Sequence, residues 1–104
     1  MGKLIRDRVP DIVRELGHHI EVRELAADEY AAALREKLVE EAREAQRAAD
    51  RTELLEELAD LAEVALALAQ HEGITDAEIL DQRAAKNRSH GTFDGRLFST
   101  SYRS

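Results

Sequence analysis

Glu40, Glu41 and Glu44 lie in the stretch "EEAREAQ", and Glu57 and Asp60 follow after a gap of twelve residues in "ELAD". Groups three or four apart on a helix share a face, so Glu41 with Glu44, and Glu57 with Asp60, can each converge on one ion. Gathered together, such carboxylates repel one another unless cations sit among them. Hard oxygen donors select Mg²⁺, Mn²⁺ or Ca²⁺, and Mg²⁺ favours sites it shares with substrate phosphates. The plainer reading is chance: residues 21–82 carry eighteen acids, and acids at a helix start also complement its dipole. Either pair alone is weak, and the joint pattern is stronger.

The elements that must position these groups are helices. Hydrophobic residues make up 43% of the 104-residue chain but aromatics only 4%, so the core must be built from Leu, Ala, Val and Ile. Asp28 is the expected N-cap of a helix running to about residue 49. Projected at 100° per residue, Leu34, Ala45, Leu38, Ala31 and Ala42 share one arc, with Glu41 just inside its edge. Glu44 and Lys37 fall just outside that arc, and Glu40 further round. "DRTE" fits a capping box with Asp50 at the cap and Glu53 three residues on, opening a helix that ends near Gly73. The short intervening turn predicts an antiparallel hairpin with the two acidic pairs face to face. Beyond residue 63 the second helix is apolar almost all round, which predicts burial from several directions, most simply in a four-helix arrangement completed by a second subunit.

The flanks read more simply. "PDIVRELG" predicts a short first helix stopped at Gly17, and "HHIEVREL" an extended connector or short strand. "TDAE" from Thr75 is a second capping box, starting a helix through about Asn87. Residues 91–104 read as an extended tail. The expected class is all-α: a helical hairpin finished as a four-helix-type bundle by oligomerisation, with short extended terminal segments. The chain is expected to be one domain, 1–104, with its core at 28–90.

Composition narrows the functions. The net charge of −7 splits into +1 for residues 1–20, −12 for 21–82 and +4 for 83–104, an acidic centre between basic ends. That argues against a general nucleic-acid binder. Cysteine is absent, which removes disulfides, thiolate metal sites and cysteine nucleophiles. Charges begin at residue 3 and no segment reaches membrane-spanning length, so a cytoplasmic protein with no membrane partner is expected. A dinuclear oxidase bundle wants Glu-x-x-His on two helices, and only Glu15 and His18 show that spacing, across a glycine. The five glycines form no Walker loop or dinucleotide fingerprint. His19, His71 and His90 read as surface or tail residues.

"KLVEEAREA", the twelve-residue interval and "EELADLAEVALAL" resemble the MazG-like all-α nucleoside triphosphate pyrophosphohydrolases over residues 28–90. "KLIRDRVPDIVRELG" and "KNRSHGTFDGR" also resemble a small single-domain branch described as phosphoribosyl-ATP pyrophosphohydrolase-like or house-cleaning enzymes. The resemblance implies hydrolysis of the α–β phosphoanhydride of a nucleoside triphosphate, giving a monophosphate and pyrophosphate, with Mg²⁺ essential and Mn²⁺ a substitute. It places Glu41, Glu44, Glu57 and Asp60 as metal ligands and Glu40, Glu41 and Glu44 in the catalytic group, Glu40 supporting the site or orienting water. It places Lys3, Arg6, Lys86 and Arg88 on the phosphates, with Asn87 a polar contact, in a homodimer or homotetramer. The alternatives are phosphoribosyl-ATP pyrophosphohydrolase of histidine biosynthesis and a non-catalytic helical module that binds nucleotide or metal, or dimerises.

Overall fold

Pro10 lies in the first turn of the first helix, α1 (Val9–Glu15), where no backbone donor is needed. The helix stops after Glu15 in a Schellman turn. Gly17 adopts φ 83°, its N–H donates to the Arg14 carbonyl at 2.9 Å, and the His18 N–H donates to Val13 at 3.1 Å. The computed structural model describes residues 2–102. Three further helices follow: α2 (Ala27–Arg47), α3 (Arg51–His71) and α4 (Asp76–His90). Strands are absent among the described residues, so "HHIEVREL" is a connector.

The N-cap of α2 is Ala26, not Asp28. Ala26 has no side-chain oxygen, and the cap comes from inside the helix: Glu29 Oε1 accepts the Ala26 N–H at 3.2 Å, and Arg23 holds the same carboxylate at 3.1 and 3.3 Å. Asp28 is left in the first turn, complementing the dipole. At the head of α3 the Asp50 side chain accepts the Glu53 N–H at 2.9 Å. At α4 the box closes in both directions, with Thr75 Oγ1 accepting from the Glu78 N–H and Glu78 Oε1 accepting from the Thr75 N–H, each at 3.1 Å. That helix runs three residues beyond Asn87, to His90.

Helices α2 and α3 pack on each other as an antiparallel hairpin. Both ends show it: Tyr30, near the start of α2, meets His71, at the end of α3, edge-on at 5.2 Å, while Glu44 and Glu57 approach each other near the turn. Leu34 is the most deeply buried apolar side chain, at 2% exposure, and Ala69 is also buried. Leu54, Leu55 and Leu58 on α3 remain exposed.

The chain divides into two compact units, one ending at Gly73 and the other beginning at Ile74. In the second, α4 is followed by residues 91–102 without regular structure, where Phe93, Leu97 and Phe98 are almost fully exposed.

Because Leu34 fills the hairpin seam, Leu34→Ala is expected to lower unfolding free energy by about 2–5 kcal/mol in urea titrations followed by circular dichroism. A loss of less than about 1 kcal/mol would place the seam elsewhere.

Candidate functional site

The last turns of α2 and the first turns of α3 face each other, and the helical period brings three carboxylates into the gap. Glu41, Glu44 and Glu57 each offer an oxygen, and these oxygens all lie within 4.8 Å of one another. Glu41 is buried at 6% exposure, Glu57 is half-buried and Glu44 is exposed. Glu41 Oε1 lies 3.6 Å from Lys37 Nζ, which is the same distance from Glu40. Glu41 Oε2 and Glu57 Oε2 are buried and have no hydrogen-bond partner among the described residues.

Two buried carboxylate oxygens in a nest of like charge are costly, because no donor side chain offsets their desolvation. The cost shows in protonation. Burial first, then a proton shared with Glu44 and its charge, then the same influences from Glu41, push the Glu57 carboxyl up from 4.5 to about 7. A hard divalent cation fits this donor set: it satisfies the free oxygens and replaces mutual repulsion with attraction. Glu41, Glu44 and Glu57 are the residues that could hold it.

Asp60, one turn beyond Glu57 on α3, stands outside the trio. Its Oδ1 accepts a hydrogen bond from Arg6 Nη2 at 2.8 Å, so the arm preceding α1 reaches the acidic site. From the sequence each residue reads as a ligand, one of metal and one of phosphate, and no local spacing pairs them across 54 positions. Glu40 lies on the rim beside Lys37, and both line an open cleft that Lys3 and Arg6 also border. Lys86, Asn87 and Arg88 lie toward the C-terminal end of α4, in the second unit. The helical projection puts Lys37 only at the margin of the seam, and the signal of its contact is the four-residue spacing to Glu41. His71, read as a surface residue, has its ring against Tyr30.

Residues 9–87 match the phosphoribosyl-ATP pyrophosphohydrolase family. The chain belongs to this family. All five acids fall within the matched span, as do Lys37, Lys86 and Asn87, whereas Lys3, Arg6 and Arg88 lie outside it. An uncharacterized protein of Mycolicibacterium smegmatis is 45% identical over 56 residues, which cover 54% of this chain and 57% of that protein. The similarity therefore spans little more than half the length of that relative. No solved structure gives a significant match. Family membership points to a nucleotide pyrophosphohydrolase, and no helix among the described residues is long and apolar enough to cross a membrane.

The raised Glu57 carboxyl fixes the sign of a pH effect. Without divalent ions the native state keeps this proton up to about pH 7, while the unfolded chain releases it near 4.5. The native state therefore binds more protons between those values, and this contribution to stability is lost as pH rises through that window. Thermal melts with a chelator should show the wild type losing melting temperature relative to Glu57→Gln from about pH 4.5 to about 7. Added divalent ion, which needs the deprotonated carboxylate, should stabilise the wild type increasingly over the same range. Parallel pH profiles for the two proteins would contradict the proton assignment.

Proposed function

We propose that the protein hydrolyses the α–β phosphoanhydride of nucleoside triphosphates, noncanonical ones in a house-cleaning role, to a nucleoside monophosphate and pyrophosphate, using Mg²⁺. What carries the reading is the buried Glu41, with a partnerless oxygen beside a second partnerless oxygen on Glu57, in a chain of this family. Glu41, Glu44, Glu57 and Asp60 are the proposed metal ligands, with Asp60 joining the trio from its present contact with Arg6. When bound, Mg²⁺, or Mn²⁺ in its place, supplies Lewis acidity and neutralises charge on the phosphate oxygens.

The chain's own residues do the rest. The oxygen of a water bonds to the α-phosphorus, the bridging P–O bond to the β-phosphate breaks, and its electron pair leaves with the departing pyrophosphate. The water's proton passes to a carboxylate of the group Glu40, Glu41 and Glu44. Glu40 suits the orienting part of this work, being on the rim of the cleft with Lys37 3.6 Å away. Lys3, Arg6, Lys86, Asn87 and Arg88 are proposed to contact the phosphates, where fixed positive charge offsets the substrate's own. Arg6 already sits at the edge of the acidic site, on Asp60.

A second substrate reading is favoured by the family match itself: phosphoribosyl-ATP, cleaved at the same kind of bond. In either case we take residues 1–104 as one functional domain, acting in the cytoplasm without nucleic acid. A homodimer or homotetramer is proposed because Leu54, Leu55 and Leu58 present uncovered apolar surface on α3.

Pyrophosphate release should be seen with Mg²⁺ or Mn²⁺ in a panel of normal and damaged nucleoside triphosphates that includes phosphoribosyl-ATP. The preferred substrate separates the two readings. Glu41→Gln and Asp60→Asn should each lower turnover at least about 100-fold while the far-ultraviolet circular dichroism stays unchanged. Undiminished turnover in both would remove the assignment.

A further inference from the structure

An open cleft of ≈ 1200 Å³ lies between the N-terminal arm (residues 2–7), the connector (21–25) and the N-terminal half of α2. One end adjoins the acidic site, because Lys37 and Glu40 line it and Lys37 also contacts Glu41. Tyr30 lines it as well, ten residues before Glu40, which is about 15 Å along the helix. That span is comparable to the reach of an extended nucleoside triphosphate from its phosphates to its base. Between these points Leu4, Ile5, Val22, Leu25, Ala32 and Ala33 line it among charged side chains that include Glu21, Glu24 and Glu36. Ligand pockets usually enclose roughly 300–1,000 Å³, so the cleft has room for a nucleoside and its water.

Tyr30 is the only Phe, Tyr or Trp in the first 92 residues. Its ring meets His71 at an interplanar angle of 87°, an edge-to-face contact. Whichever ring presents its edge, the contact uses at most one of the two faces of Tyr30. Glu29, the nearest acid on the same turn, is committed to Arg23 and to the Ala26 N–H.

We propose that this cleft receives the base and sugar of the nucleotide, with Tyr30 as the surface on which the base stacks. The proposal rests on the nucleotide hydrolase reading and adds where substrate specificity is decided. The triphosphate runs toward Lys37, Glu40 and the carboxylates, and the nucleoside lies along α2 toward its N-terminus.

The chain has two tyrosines and no tryptophan, so in a full-length Tyr102→Phe background every tyrosine ring signal reports Tyr30. Without metal, the four ribonucleoside monophosphates are titrated against this protein and the Tyr30 ring protons are followed by NMR, with ribose 5-phosphate and pyrophosphate as probes lacking a base. At least one monophosphate should give saturable upfield ring shifts, and neither baseless probe should do so. In steady-state hydrolysis, Tyr30→Leu should raise KM roughly 5- to 100-fold with kcat little changed, and Tyr30→Phe should restore the parent KM.

Absence of ring shifts with all four monophosphates, equal shifts with the baseless probes, or an unaltered KM in Tyr30→Leu would overturn the proposal. Unaltered KM in an active enzyme sinks the base site and leaves the hydrolase reading standing. A parent with no turnover on any nucleotide removes the hydrolase reading, and the NMR titration still decides whether the cleft binds a nucleoside.

Discussion

Everything in this molecule that bears on function follows from forcing like charges together at the seam of two helices. Glu41 is on the apolar side of α2 and is buried more deeply than Leu38, Ala42 and Ala45 on the same helix, and Glu57 approaches it from α3. Lys37 offsets part of that charge from 3.6 Å, but two oxygens remain without donors among the described residues. A protein that folds around such a cluster gives up stability that an apolar seam would supply, which is the usual mark of a site kept for its ligand. Proton uptake by Glu57 is how the chain meets this cost when no cation is bound.

The acidic trio also explains the arrangement around it. The arm before α1 is held over the site by Arg6 on Asp60, and the connector behind it is held to α2 by Arg23 on Glu29. These are exposed ion pairs of the kind that contribute little to stability, so their value lies in where they place the arm and connector. Together they wall a cleft that leads away from the carboxylates along α2. Chemistry at one end and recognition along the length is the division of labour that the proposed phosphoanhydride hydrolysis would need.

Much of this was legible in the sequence, for physical reasons that can be named. The hairpin followed from apolar spacing and from Asp50, whose side chain caps α3 as expected. The inward placing of Glu41 followed from the helical period, and its burial bears that out. The start of α2 was misplaced because its cap is made by Glu29 reaching backward from inside the helix, which outweighed the usual preference for an acidic cap at Asp28. The Arg6 to Asp60 contact could not be read, because nothing local links residues 54 positions apart. Lys37 was underestimated for the opposite reason: its local spacing was visible, but its role depends on Glu41 being buried.

Manganese is the most direct probe of the central claim, because its paramagnetism broadens NMR signals only near where it binds. With one equivalent of Mn²⁺ added to isotope-labelled protein, the account predicts that line broadening centres on Glu41, Glu44 and Glu57 and is lost in Glu41→Gln. Broadening spread over the surface acids of α2, α3 and α4, and unchanged by that substitution, would contradict it.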